Sequence, residues 1–486
     1  DPDVIRVEDT YYMVSTTMHF MPGCEILQSF DLVHWEHVTY VYETLDHTDA
    51  QQLKSGQNIY GQGMWAASLR YHEGRFYICF VANDTRKTYL YTSEKIDGPW
   101  KKQLIEGFYH DGSLLFDEDG RNYIVYGNDE IWITELNEDL TAPKKDGLHR
   151  LLVSDHKNPE LGYEGSHIQK INGYYYIFLV HSLRDRWMRT EACFYSDSLE
   201  GEFTGGDVLC DDRGYCGQGV AQGGIVDTPD GKWYAMLFQD SGAVGRLPIL
   251  LPVTWKDHFP VFGQNGHVPE EIEVHSTRPG YIYQPLVGSD DFCNGLLPRW
   301  QFNHDPDPRY YHLDALQGTY TITTREVCTE LTQAVNTLTQ RMSYPSCAAE
   351  VTVDASALKE GDVAGLCALQ SCYAAVGITK HHGKYEVLML DKKEDGILDM
   401  TEGTVVESHQ MDFRLEADFC NMKDEARCYY RVNKGDWLPI GTVHKLYFKL
   451  DHFTGCRFGL FCYAAEETGG SACFRDFKYY DVDEIS

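Results

Sequence analysis

Over the first 285 residues the apolar positions fall into short runs separated by turn residues, and one arrangement returns five times. A turn pair is followed by an aromatic residue or Asn, then Tyr, then an apolar strand. The copies are Asp9-Thr10-Tyr11-Tyr12, Gly74-Arg75-Phe76-Tyr77, Gly120-Arg121-Asn122-Tyr123, Gly173-Tyr174-Tyr175-Tyr176 and Gly231-Lys232-Trp233-Tyr234. Their tyrosines stand 65, 46, 53 and 58 residues apart. A short strand before the turn and a Tyr-led strand after it make a β-hairpin. A unit of about 50–60 residues with one hairpin and outer strands has the size of a propeller blade. The pattern predicts five blades ending near residue 285.

Aligning the copies brings five segments into parallel: DPDVIRVED, WAASLRYHEG, DGSLLFDEDG, EGSHIQKING and QGGIVDTPDG. Each opens on a polar or aromatic residue, then a small residue or Pro, then an apolar strand. As innermost strands of five blades, they set their first residues around the axis at one face. That ring is Asp1, Trp65, Asp111, Glu164 and Gln222. One acid at a strand entrance is ordinarily a solvated turn residue; three in register across a five-fold repeat point to a site.

After Pro279-Gly280 the pattern changes to strands at short intervals, such as Gly318–Ile322, Ala349–Val353, Tyr385–Met389 and Phe458–Phe461. These runs predict an antiparallel sandwich. Its roles divide between binding sugar, closing the pocket with a loop around His452 to Phe458, and acting as a stabilising partner only.

Composition narrows the partners. The chain has 486 residues, enough for two domains, with 33 Tyr and 9 Trp to fill strands or stack on sugar rings. A formal charge of −32 argues against nucleic acid and anionic membranes, and a neutral sugar meets no such penalty. No run approaches the roughly 18 apolar residues of a membrane span. The 15 cysteines are scattered singly, without zinc spacing or a disulfide framework. Together with an opening that lacks a signal-like segment, they lead us to expect a cytoplasmic protein; a trimmed leader and a homo-oligomer are both compatible with the sequence.

Glycosidic cleavage needs one carboxylic acid to protonate the leaving oxygen and one carboxylate acting on the opposite face of the sugar. The acid must hold its proton near neutral pH, and a neighbouring carboxylate raises its pKa. Asp1, Asp111 and Glu164 offer base, modulator and acid, with the longer Glu suited to proton donation and Trp65 to one wall. Spacing leaves the division of roles among the three open.

The five segments together resemble glycoside hydrolase family 43, chiefly β-xylosidases, α-L-arabinofuranosidases and arabinanases. The resemblance extends over residues 1 to about 285, and the tail after about 290 is similar to the sandwich of two-domain members. It implies an all-β fold: a five-bladed β-propeller over residues 1–285, then a concanavalin-like β-sandwich over 290–486. It further implies Asp1 as general base, Asp111 as modulator and Glu164 as general acid of an inverting, exo-acting enzyme. Such an enzyme releases terminal β-D-xylose or α-L-arabinofuranose from oligosaccharides and needs no cofactor for its chemistry. Inversion calls for roughly 6.5–9.5 Å between Asp1 and Glu164. Arg246 matches an arginine that contacts the sugar or the modulator, with a structural ion pair as the plain alternative. Met18 and Phe20 fall where relatives place an apolar pocket wall; core packing is the alternative.

In one departure, Gln222 stands where many relatives have His, and Gln is a poor metal ligand. His275 lies near the propeller's closing segment and is the candidate ligand for Ca²⁺ on the axis, a hard cation that accepts mainly oxygen. Two further readings remain beside the exo-enzyme: an endo-arabinanase with an open cleft, and a non-catalytic carbohydrate-binding propeller.

Overall fold

The Tyr-led strands are apolar on both faces because both faces are buried. In Tyr174–Ser182, residues Tyr175, Ile177 and Leu179 enter one apolar cluster, while Tyr176 and Phe178 enter another on the opposite side. Alternating side chains point to opposite faces of a strand, so each such strand packs against two neighbours at once. Each fully buried Tyr or Phe contributes about 1.5–3 kcal/mol.

The computed structural model describes residues 1–481. Over Asp3–Phe262 it forms five four-stranded sheets, each with its strands in chain order. Their first strands are Asp3–Val7, Met64–His72, Ser113–Phe116, Glu164–Ile171 and Gly224–Asp227. Each pairs antiparallel with the strand after its turn, as the repeat predicts. Five apolar clusters fill the joints between successive blades, including the joint between fifth and first. The chain is a five-bladed β-propeller followed by a sandwich.

The ring closes without exchanging a strand between its ends. Instead, the Arg6 guanidinium pairs with Asp227, and its Nε donates to the Asp227 carbonyl at 3.1 Å. A strap from Glu273 to Gln284 then ties the fifth blade to the first. Tyr234 donates to the Glu273 carbonyl at 2.9 Å, Thr277 donates to the Phe30 carbonyl at 2.8 Å, and Arg278 pairs with Asp9 at 2.8 Å.

One layer below the first ring, a second set of inner side chains stitches the blades together. Asp3 accepts the Leu69 amide at 2.7 Å, Ser68 that of Leu114 at 3.1 Å, and Ser113 that of Ile168 at 3.0 Å. The Arg70 guanidinium spans the same layer, bonded to Asp3, Ser113 and the carbonyls of Leu114 and Ile168. His167 meets Asp3 at 3.1 Å.

The second domain packs two antiparallel sheets over one apolar core that includes Leu338, Val351, Leu366, Phe413, Phe458 and Phe474. One of these sheets takes in a strand from the propeller. Phe20–Met21, in a first-blade loop, pairs antiparallel with Gln301–Asn303. The two domains therefore share a hydrogen-bonded sheet edge. All 15 cysteines are free thiols. Among the described residues no helix is long and apolar enough to cross a membrane.

Candidate active site

Asp1 sits just before the first inner strand, and its side chain is only 6% exposed. Thr16 Oγ1 donates to its Oδ2 at 2.5 Å, and Arg246 Nη1 donates to its Oδ1 at 2.5 Å. Arg246 also reaches Asp240 through Nε at 3.2 Å, and Asp240 accepts Arg189 Nε at 3.1 Å. The base candidate is thus one end of a buried Asp–Arg–Asp–Arg chain with no net charge. A planar guanidinium can hold two carboxylates in fixed directions.

Asp111 and Glu164 face each other across the next joint. The Gly165 amide donates to Asp111 Oδ2 at 3.0 Å, so the residue after Glu164 holds Asp111. Gly165 has φ +69, and a Cβ there would lie 2.1 Å from Gln222 Cδ. Glycine is required on both counts. Gln222, 3% exposed, presses on the Gly165 backbone and thereby enters the site as a support.

His110 completes this side. Its Nε2 lies 3.4 Å from Glu164 Oε2 and 3.6 Å from Asp111 Oδ2, and Asn128 Nδ2 donates to the same Glu164 oxygen at 2.8 Å. The charge of Asp111 and the bond to Glu164 together outweigh burial and push the imidazole up to about 9. Burial, helped by the Glu164 charge, raises Asp111 against the pull of His110. Burial also pushes Glu164 upward, but His110 and the guanidinium groups of Arg189 and Arg246 overcome it and hold that carboxyl below its usual range. The expectation that a neighbouring carboxylate raises the acid's pKa is therefore not met in the resting site, where the His110 imidazolium holds Glu164 down.

The sandwich supplies a wall. Phe453, 2% exposed, stands edge-on to Trp65 at 5.5 Å between centroids and lies under the Arg246 guanidinium at 4.2 Å. Its loop reaches the propeller because Gly245 and Gly455 let two backbones touch; a Cβ on Gly455 would come within 2.1 Å of the Val244 carbonyl oxygen. Trp65 in turn faces His110 at 6.2 Å. Contacts thus run from Asp1 through Arg246, Phe453, Trp65 and His110 to Asp111 and Glu164, and from Gly165 to Gln222. The five ring positions read from the repeat come together.

Three expectations need correction. Phe20 does not face this pocket: fully buried, it packs with Leu331, Leu369, Tyr373 and Phe461 of the sandwich, under the Arg457 guanidinium at 3.7 Å. Its place in the shared sheet edge turns it away from the axis. Met18 is also fully buried; its amide donates to the Met64 carbonyl and its sulfur accepts Thr454 Oγ1 at 3.5 Å, so it braces the sandwich loop. His275 lies on the outer strap, 60% exposed, with Glu273 at 3.7 Å, because Glu273 and Thr277 are held to blades five and one on either side of it.

His275 therefore offers no ligand to an axial Ca²⁺, and Arg70 already supplies positive charge to the acceptors below the ring. His110, Asp111 and Glu164 do place three donor atoms within 4.8 Å of one another. A protonated imidazole has no lone pair to give, and it already balances one carboxylate charge. The residues present do not fit a metal at either place.

Sequence reasoning missed His110, Asn128, Arg189 and Asp240, and reached Phe453 only as part of the loop around His452 to Phe458. Only His110, adjacent to Asp111, carried a local signal. The others reach the site from distant strands or from the second domain.

Residues 1–260 match the family described as glycosyl hydrolases family 43, and residues 289–480 match the beta xylosidase C-terminal concanavalin A-like domain. A solved bifunctional GH43-CE protein of Bacteroides eggerthii is 42% identical with a TM-score of 0.91; the match covers 100% of this chain and 62% of that one. A beta-xylosidase of Formosa agariphila is 26% identical, over 99% of this chain and 87% of its own. A xylosidase/arabinosidase 43B of Humicola insolens is 25% identical, over 99% and 95%.

Proposed function

Since the chain belongs to glycosyl hydrolases family 43, we propose that it is an exo-acting, inverting hydrolase releasing terminal β-D-xylose, α-L-arabinofuranose, or both from xylan- or arabinan-derived oligosaccharides. The observation that carries this reading is the pairing of three carboxylates, Asp111 buried and Asp1 and Glu164 part-buried, with a wall from the second domain. Phe453 against Trp65 blocks the groove a polymer would need to run through the site, leaving a pocket for a chain end. We take residues 1–285 as the catalytic unit and 290–486 as the accessory that completes its wall.

In this reading Asp1 is the general base. Its carboxylate is held by Thr16 and Arg246 and takes a proton from the attacking water. Glu164 gives a proton to the leaving oxygen as the anomeric bond breaks, and Asp111 orients it through the Gly165 amide. Water attacks from the face opposite the leaving group, so the configuration inverts. The protein's own side chains supply acid and base.

The test is turnover of nitrophenyl β-D-xyloside and nitrophenyl α-L-arabinofuranoside by wild type and by Asp1→Asn, with proton NMR of the first-formed anomer. Turnover of at least one substrate is expected, with inversion and a loss on the order of 10²-fold or more in the variant. Retention of configuration, or an unimpaired Asp1→Asn, contradicts the proposal. Internal cleavage of a linear oligosaccharide would instead support the endo reading.

A further inference from the structure

His110 has no role in the scheme above, and it touches both carboxylates on the acid side. Its Nε2 stands 3.4 Å from Glu164 Oε2 and 3.6 Å from Asp111 Oδ2. The main chain fixes it there: the Gly127 amide donates to the His110 carbonyl at 3.1 Å, and Trp65 backs the ring. Its side chain is 20% exposed, so solvent protons reach it in the open site. Catalytic hydrogen bonds in an empty site are commonly long and tighten on substrate binding.

We propose that His110 is the positioning residue of the general acid: it stores the proton that Glu164 delivers to the leaving oxygen. The inference rests on the reading of Glu164 as acid. The charged groups facing His110 are Asp111 on its own segment, Glu164 at the start of the next blade and Arg86 from the second blade. Two carboxylates against one guanidinium favour the imidazolium, which persists up to about pH 9.

The step balances as follows. The bond between anomeric carbon and leaving oxygen breaks, and that oxygen takes a proton from Glu164 as Glu164 takes one from His110 Nε2. Water oxygen bonds to the anomeric carbon and gives a proton to Asp1. Glu164 is thus a carboxylate before and after the step, and His110 is left neutral. Solvent reloads His110 and discharges Asp1, so one water is consumed and one sugar and one alcohol are released.

The experiment measures kcat/KM against pH for wild type, His110→Gln and Glu164→Gln. The substrate is xylobiose or an arabinofuranosyl disaccharide, whose leaving alcohol needs the proton. The wild-type alkaline limb is expected near pH 9, set by His110. In His110→Gln only the carboxyl pair can hold a proton, so the limb falls by about 2 pH units and the loss at pH 8 exceeds that at pH 5 by about tenfold. An unshifted limb in His110→Gln, with Glu164→Gln inactive, overturns this inference and leaves the function intact. Turnover by Glu164→Gln overturns the reading of Glu164 as acid, on which this inference rests. Should His110→Gln fail to fold, nitrogen chemical shifts of His110 in the wild type decide: an imidazolium at pH 7.5 supports the proposal and a neutral ring refutes it.

Discussion

Arg246 bonds Asp1 through Nη1 at 2.5 Å while its Nε holds Asp240 at 3.2 Å, so one guanidinium sets the direction of the base from behind. Lysine keeps the charge but has no planar fork. Arg246→Lys is therefore expected to cut kcat/KM by about 10²-fold with little change in thermal midpoint. Steady-state kinetics beside a melting curve checks this, and near-normal turnover would mean that the fork does not orient Asp1.

Gly165 joins acid, modulator and ring support through a single residue. Gly165→Ala puts a methyl group into the Gln222 side chain and forces a left-handed conformation on an L-residue. A cost of about 1–3 kcal/mol is expected, together with a loss of about 10²-fold or more in kcat as Glu164 turns. Denaturant unfolding and kcat measured on the same sample report the two effects.

Phe453→Ala removes the wall between Trp65 and Arg246. The loss of a buried ring costs about 3–5 kcal/mol, and the opened pocket should raise KM for short substrates. Product analysis on linear oligosaccharides gives the sharper result: wild type releases only chain-end sugar, while the variant also yields internal fragments. Chain-end products alone from Phe453→Ala would place the exo restriction elsewhere.

Acid should destabilise the seam between the domains. His19 and His304 are fully buried; among the described residues neither nitrogen of His19 has a hydrogen-bond partner, and His304 Nε2 accepts the Ile59 amide at 3.0 Å, which requires a neutral ring. Burial lowers both, His304 to about 3. The unfolded chain protonates histidine near ~6.5, so stability is intact above that value and drains as pH falls toward the folded one. The slope is about 1.4 kcal/mol per pH unit for each histidine, or about 4 kcal/mol for the pair between pH 6.5 and 5. Urea titrations at pH 7 and pH 5 measure it, and equal stability at both would show that these rings titrate in the fold as they do in the unfolded chain.

The repeat was legible because every Tyr-led strand buries both faces in the same way, so Tyr12, Tyr77, Tyr123, Tyr176 and Tyr234 return in register. Register in turn carried Asp1, Asp111 and Glu164 to one end of the inner strands. Phe20 could not be read as a sandwich residue, since its pairing with Asn303 spans 283 positions and depends on how the domains dock. Phe453 was legible only as part of a loop that might close the site. His110 was overlooked because a His beside an Asp is unremarkable in sequence, and its influence arises only where Glu164 folds back over it.

The strand formed by Phe20 and Met21 has a consequence for anyone wishing to dissect this protein. Cutting the chain between its halves would strand two edges that complete each other, expose the aromatic side chain of residue 20 to water and leave an open, adhesive margin on both fragments. The catalytic half is thus not a detachable unit: shuffling it onto a foreign partner would require redesigning that border first, and natural rearrangements should move the two halves as one cassette.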